Sequence, residues 1–175
     1  MIKAAPTAAL APSFLCDIRR MLDVAFNGDF TDHDWDHATG GIHVWLVGQA
    51  GLISHGSLVQ RTLVCSGHTL NAGYVEAVAT IATHRRRGHG SIVMRYIHQL
   101  IRERYAIGAL STDSPAFYER LGWKRWRGPT LVDAPRGRER TADDDGGVMI
   151  LETSRTPRLD LDAAIVCDSR PGDVW

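Results

Sequence analysis

The feature that most constrains the fold is a junction near the middle of the chain. An apolar stretch, Val75-Glu76-Ala77-Val78-Ala79-Thr80-Ile81, runs into Arg85-Arg86-Arg87-Gly88-His89-Gly90. That loop leads directly into Ile92, Val93, Tyr96, Ile97, Leu100 and Ile101, whose spacing is helical. Strand, basic glycine loop and helix in succession make an α/β unit with the outline of a phosphate cradle. Glycines let backbone N–H groups approach a ligand, the helix start adds the positive end of its dipole, and arginines add fixed charge. A pyrophosphate suits that outline. By itself a G-x-G after a strand is weak evidence, since an arginine run can equally stay in water.

The flanks supply the rest of an α/β domain. The 175 residues, 44% of them apolar, suffice for one core that buries roughly two thirds of the unfolded chain's surface. Residues 1–12 read as a flexible N-terminal arm and 13–175 as a single domain. Ser13 offers a cap to a helix carrying Leu15, Ile18, Met21, Leu22 and Ala25 and ending near Gly28. The polar segment Asp29 to Gly41 is a loop or a short helix. From Ile42 to Thr83, apolar and β-branched runs separated by turns at Gly48 to Gly51 and Ser66-Gly67 predict an antiparallel meander. Beyond the central helix come a strand at Ile107 to Leu110 and a helix at Pro115 to Leu121, closed by Gly122. A late strand is predicted at Val148 to Leu151, and Thr130 to Gly147 reads as a long polar loop of the functional kind.

Charge and cysteines narrow the partners. Twenty Lys plus Arg balance twenty Asp plus Glu, which argues against nucleic acid or an anionic membrane as the main partner. Acidic residues are nevertheless clustered at Asp29, Asp32, Asp34 and Asp36, at Asp143 to Asp145, and at Asp168 and Asp173. Cys16, Cys65 and Cys167 lack the spacing of a zinc site or redox dithiol and read as reduced thiols. With no signal-length or membrane-length apolar block, a cytoplasmic location is expected. The eight histidines show no metal-ligand spacing, so no metal is implied and most read as surface or packing residues.

Two elements in order turn the cradle into a family resemblance. Arg85, Gly88 and Gly90 fit the R/Q-x-x-G-x-G/A pattern of the Gcn5-related acetyltransferases (GNAT). Ala116-Phe117-Tyr118-Glu119-Arg120-Leu121-Gly122-Trp123 fits that superfamily's A-x-x-F-Y-x-x-x-G-[FW] element in a shorter form. The chain resembles the aminoglycoside 2'-N-acetyltransferases across almost its whole length, through GDFTDHDW (Gly28 to Trp35), GYVEAVA (Gly73 to Ala79), GALS (Gly108 to Ser111), GPT (Gly128 to Thr130), DDDG (Asp143 to Gly146) and CDSRPGDVW (Cys167 to Trp175). The resemblance implies a GNAT fold, α/β in class (α+β), with a mixed, mostly antiparallel, V-shaped central sheet flanked by helices. Acetyl-CoA would enter the splay between the fourth and fifth strands. A homodimer is compatible with it.

The resemblance also assigns roles. Glu76, a charged residue in an apolar strand, would be the general base that takes the substrate amine's proton through water, and Tyr118 the acid that protonates the departing thiolate. Val78 and Thr80 would contact the acetyl group and pantetheine arm, and Arg85, Gly88, His89 and Gly90 the pyrophosphate. Arg86 and Arg87 either serve the adenine-side phosphate or stay in water. Asp29, Asp34, Asp144, Asp173 and the terminal carboxylate of Trp175 would hold the ammonium groups of a polycationic substrate, together with Glu76. Ser111 matches a substrate-contacting serine, although its spacing to Tyr118 is short, so Thr112 or Asp113 could take that contact. Two other readings share the cofactor residues: a GNAT enzyme for another amine (a polyamine, a cell-wall amino sugar or a protein N-terminus), and a non-catalytic acyl-CoA-sensing module.

Overall fold

The computed structural model describes residues 1–49 and 51–175; Ala50, within the turn expected at Gly48 to Gly51, lies outside the described residues. In chain order the elements are β1 (Ile2–Pro6), α1 (Pro12–Ala25), α2 (Asp32–Ala38), β2 (Ile42–Gly48), β3 (Gly51–Cys65), β4 (His68–Thr80) and α3 (His89–Arg104). Then follow β5 (Ile107–Ser111), α4 (Pro115–Glu119), β6 (Lys124–Arg125), β7 (Thr130–Ala134), β8 (Gly137–Arg140), β9 (Val148–Glu152) and β10 (Ile165–Asp168). Short 3-10 turns occupy Thr7–Ala9, Ala82–His84 and Ala142–Asp144. No helix among the described residues is long and apolar enough to cross a membrane.

Two compact units share β3 and β4. The first comprises Met1–Val59 and Val75–Gln99. Here β1 pairs antiparallel with β2, from Ile2 opposite Leu46 to Pro6 opposite Ile42, and β2 pairs antiparallel with β3. Residues 1–12 are therefore not the loose arm expected. Backbone groups of β2 that would otherwise form an open sheet edge are paired by β1, and the Met1 ammonium adds a bond to the Val47 carbonyl at 2.9 Å. The helix α1 also departs from expectation at its start. Pro12 occupies the first turn, Ala11 precedes it, and no side chain caps the end, so Ser13 lies inside the helix. Proline needs no N–H partner there and has the helical φ in advance, which starts the helix early. Its inner face, Ile18, Met21 and Leu22, packs with Phe30 and Ala79, and Ala77 and Ile81 lie against that cluster.

The second unit comprises Gln60–Tyr74 and Leu100–Trp175, with strand order β6-β9-β5-β4-β3-β10-β7-β8. The β4–β5 and β10–β7 pairs are parallel, while β5–β9, β6–β9, β10–β3 and β7–β8 are antiparallel. The parallel β4–β5 register covers Ala72–Tyr74 against Ile107–Ala109, and β4 runs on to Thr80. The segment expected as one long polar loop is instead the β7–β8 hairpin and a 3-10 turn. Every residue of β8 is exposed, so an edge strand here has the composition of a loop. The unit's core is Ile101, Ile107, Leu110, Trp126, Met149 and Ile150. The fold is mixed α/β with a mostly antiparallel sheet flanked by helices, as the sequence implies.

Polar residues intrude on this apolar pattern as a group in the first unit, where His43, Ser54, His55 and Ser57 are all fully buried. Burial pushes the imidazole pKa of His43 down to about 4 and that of His55 down to about 3, the latter also feeling His43. The folded protein keeps both rings neutral, whereas the unfolded chain protonates them below about 6.5. Unfolding then takes up protons, so the pair lowers stability as pH falls from about 6.5 toward 4 and has no effect above that range. The melting temperature should drop across this window, with the slope reduced in a His43→Gln/His55→Gln variant. A wild-type midpoint that is flat between pH 6.5 and 4.5 would contradict the burial of neutral imidazoles.

Candidate functional site

In the first unit the site is built on a break in the regular conformation of β4, at Ala77, although the strand runs on to Thr80. Ala77 has φ of 51°, a left-handed conformation costing a non-glycine residue about 1–2 kcal/mol. Three buried side chains of β3 meet the carbonyls around the break. Ser57 donates to Glu76 O (3.3 Å), His55 Nδ1 to Ala77 O (3.0 Å) and Ser54 Oγ to Ala79 O (2.9 Å). Ser54 has one proton, given to Ala79, so the 2.9 Å contact with Thr80 is a bond donated by the Thr80 hydroxyl. The Thr80 side chain is thereby committed to the scaffold. Glu76 and Val78 flank the break half-buried, where neither is fully solvated.

Past β4 the loop that carries Arg85 to Gly90 is held from below. Arg85 donates Nε to Thr80 O (3.1 Å) and a terminal nitrogen to Ala25 O (3.0 Å) in the last turn of α1. A guanidinium at a helix C-terminus satisfies leftover carbonyls and complements the dipole. The resemblance gave Arg85 a direct phosphate contact; in the structure two of its donors hold the loop. Arg86 (φ 60°) and Gly88 (φ 82°) both adopt left-handed backbone, and Arg86, Arg87 and Gly88 are exposed. Ile92 N bonds Gly88 O at 3.1 Å, so the amides of His89, Gly90 and Ser91 precede the first intrahelical bond of α3. His89 Nδ1 is shielded from solvent with no hydrogen-bond partner among the described residues. Helix-start amides, that nitrogen and nearby cationic side chains fit a pyrophosphate.

The second unit carries the remaining groups. Ser111 ends β5 half-buried, and its Oγ lies 3.2 Å from where a Cβ on Gly147 would stand. The Thr112 hydroxyl accepts from Ser114 N (2.9 Å), which leaves its proton available, and Asp113 is exposed. Tyr118 lies in α4, only 8% exposed, with edge-to-face contacts to Phe117 and Trp123 at 4.9 and 6.1 Å between centroids. Burial pushes its phenol up to about 12.

Asp144, Asp173 and Trp175 are brought together around Thr141. The Trp175 indole donates to Thr141 Oγ1 at 3.0 Å, and its side chain is buried. Asp144 is half-buried, and its carboxyl is raised first by burial and then by the charge of Asp173. Neighbouring Asp145 serves the scaffold instead. Its carboxylate binds Arg140 and the Thr130 amide and hydroxyl, which hold its pKa well below the usual range. The backbone of the tail is clasped as well. Arg61 donates to Val174 O (2.6 Å) and Asp168 O, and Arg170 donates Nε to Asp173 O (2.8 Å). In the first unit Asp29 is exposed after the end of α1, and Asp34 accepts from the Thr31 amide and hydroxyl in a capping box at the start of α2.

Sequence reasoning passed over Ser54, His55, Ser57 and Arg61. Its available signal was polar residues set in otherwise apolar β3, at Ser54-His55-Gly56-Ser57. The histidine among them is neither on the surface nor mere packing, since it holds the break in β4.

A model described as an acetyltransferase (GNAT) domain matches residues 9–126. An aminoglycoside 2'-N-acetyltransferase from Mycolicibacterium fortuitum is 44% identical over 161 residues, which cover 90% of this chain and 83% of the relative. Among solved structures, the GNAT family N-acetyltransferase YhbS from Escherichia coli in complex with CoA superposes with a TM-score of 0.65 at 15% identity, over 97% of this chain and 89% of that one. A GCN5-related N-acetyltransferase from Kribbella flavida gives 0.59 at 19% identity over 74% of this chain; there the chain spans only about a third of the longer relative, 35%. With more than half of its length under the family model and a 44% identical relative along nearly all of it, this chain belongs to the Gcn5-related N-acetyltransferase family.

Proposed function

We propose that the chain transfers the acetyl group of acetyl-CoA to the 2'-amino group of an aminoglycoside. The observation that carries the substrate class is the 44% identity with an enzyme of that name across 90% of the chain. The neighbouring carboxylates Asp144 and Asp173 support it: burial and the charge of Asp173 raise the Asp144 carboxyl, a polycation relieves that repulsion, and each charge-assisted hydrogen bond to an ammonium contributes about 1.5–3 kcal/mol. Glu76 accepts the amine's proton through water. The neutral amine attacks the thioester carbon, an amide C–N bond forms, and the C–S bond breaks. Tyr118 supplies the proton that turns the thiolate into a thiol. Proton transfer from a phenol near 12 to a thiolate with an ordinary pKa of ~8.5 is uphill, so the reaction requires the sulfur to be desolvated as Tyr118 is, which raises its basicity too. The backbone donors of Gly88, His89 and Gly90 hold the pyrophosphate, with Arg85 fixing the loop and Val78 and Thr80 offering main-chain contacts to the acetyl and pantetheine groups. The unpaired Cys16, Cys65 and Cys167 suit a reducing cytosol.

The direct test is product analysis by NMR after incubation with acetyl-CoA and paired aminoglycosides that carry either an amino or a hydroxyl group at the 2' position. Acetylation at the 2' nitrogen, and none of the hydroxyl compound there, is the expected outcome. Turnover of polyamines or protein N-termini without 2' acetylation would overturn the substrate assignment.

The site residues make the reading testable one group at a time. Gly88→Asp places a side chain on left-handed backbone and a negative charge at the phosphate loop, so calorimetry should show acetyl-CoA affinity reduced at least roughly tenfold (~1.4 kcal/mol) with aminoglycoside affinity kept. Asp144→Asn/Asp173→Asn should raise the aminoglycoside KM by a similar factor while the KM for acetyl-CoA barely moves. Because burial keeps Tyr118 protonated until about pH 12, the pH profile of kcat/KM should show no descending limb up to pH 10; Tyr118→Phe should lower kcat with KM little changed. A limb near pH 9 that persists in Tyr118→Phe would remove this residue from the acid role.

A further inference from the structure

The hydrogen bonding of the buried His43–His55 pair continues in both directions. Thr7 Oγ1 stands 3.0 Å from His43 Nε2, His43 Nδ1 stands 2.9 Å from His55 Nε2, and His55 Nδ1 stands 3.0 Å from Ala77 O. At the far end Gly40 N donates to Thr7 Oγ1 at 3.0 Å. The direction of every bond follows from one fact. A carbonyl only accepts, so the proton between His55 and Ala77 sits on Nδ1. Both rings are neutral in the buried pair, so His55 Nε2 is an acceptor, His43 must carry its proton on Nδ1, and His43 Nε2 accepts from the Thr7 hydroxyl. The Gly41 carbonyl, 3.3 Å from that hydroxyl, is already served by the Thr7 amide at 3.0 Å, so the shorter contact with His43 takes the hydroxyl proton. Donation therefore runs one way, from the Gly40 amide through Thr7, His43 and His55 to the Ala77 carbonyl.

The last link acts on the reaction. The peptide joining Ala77 to Val78 is one rigid trans plane, with its carbonyl and amide on opposite sides. A carbonyl pinned toward His55 turns the Val78 N–H the opposite way, away from β3, at a residue proposed to give the acetyl group a main-chain contact. Glu76 precedes the same left-handed residue, so its Cα–Cβ direction is set by the same break. We propose that Thr7, His43 and His55 are positioning residues for acetyl transfer: a one-way hydrogen-bond relay that fixes the Ala77–Val78 peptide plane and aims the Val78 N–H at the thioester. The relay rests on the acetyl-transfer reading for its purpose, but its geometry can be tested without turnover.

Nitrogen NMR of the imidazoles should find both His43 and His55 protonated on Nδ1 and not on Nε2; an Nε2-protonated form of either ring overturns the relay. In His55→Leu, amide exchange across residues 76–80 should accelerate at least tenfold beyond the average of the sheet, and kcat should fall at least tenfold with both KM values within about threefold. His55→Asn keeps a donor near the position of Nδ1 and should recover most of kcat and of the protection, which a loss of packing alone would not allow. A folded His55→Leu protein with wild-type kcat and unchanged exchange at 76–80 overturns the proposal. Should that variant fail to fold, Thr7→Val removes the hydroxyl that donates to His43 Nε2: the Ala77 carbonyl should still keep both rings protonated on Nδ1, while kcat falls severalfold and exchange at 76–80 accelerates, and unchanged kcat with unchanged exchange overturns the proposal equally. Failure of the acetyl-transfer reading would show instead as no acetylated product from the wild-type protein with acetyl-CoA and either an aminoglycoside or another amine, with the imidazole and exchange readouts intact.

Discussion

Much of the first unit is organised around a single backbone irregularity. Ala77, within β4, holds a conformation that alanine adopts only at a cost, and the carbonyls of Glu76, Ala77 and Ala79 around it have partners contributed by β3. Those partners are side chains, and side chains that donate hydrogen bonds inside a core must be small or must be satisfied on all sides. Ser54, His55 and Ser57 meet that demand, and their burial is tolerable only because every one of them is spoken for. The same break presents Glu76 and Val78 half-buried beside it, which is the environment a proton acceptor and a main-chain donor require. Strain, buried polarity and the proposed chemistry are thus one feature seen at three scales.

The second unit solves a different problem, how to hold a segment with no regular structure. Residues after β10 are fixed by a guanidinium that is 4% exposed, stacked 4.9 Å from the centre of the Tyr74 ring and ion-paired with Asp168. A buried cation would be costly alone, and this one is repaid by carbonyls at Asp168 and Val174 as well as by the carboxylate. With its backbone anchored and its indole bonded to Thr141, the tail keeps Asp173 near Asp144 despite their repulsion. The tail that carries Asp173 is therefore held through its backbone carbonyls, by Arg61 at Val174 and by Arg170 at Asp173 itself.

Sequence alone revealed what depends on neighbours in the chain. The switch of period at Val75 to Ile101 and the helix expected at Pro115 to Leu121 are local patterns; the first stands where the residues put it, and the second is α4, which starts at Pro115 but ends at Glu119. Strands whose stability comes from distant partners were harder to see. Ile2-Lys3-Ala4-Ala5-Pro6 has little strand propensity and is ordered by β2; the Arg-rich β8 is an edge that resembles a loop; Ile165–Asp168 is a strand because it lies between β3 and β7. At the candidate site, Tyr118 and the glycine loop could be named from motif order, and Glu76 as a charged residue in an apolar strand. The roles of His43 and His55 could not, because each is defined by a contact that skips twelve or more residues. Asp34 illustrates a signal that was present and unused: Thr31-x-x-Asp34 is a capping box pattern before a short helix.

The one-way order of donors has an electrical consequence. Each link from the Gly40 amide onward presents its positive end toward Ala77, so the bond dipoles add instead of cancelling. In a dry interior such chains polarise one another, strengthening each bond by about a tenth to a third. Electron density drawn onto the Ala77 oxygen is withdrawn from the other end of the same amide, which leaves the Val78 hydrogen more positive than that of an ordinary strand. A peptide group so biased acts as a fixed field pointing out of the core, and it would be weakened by any change that reversed a single proton in the series, even one made as far away as the first turn after β1.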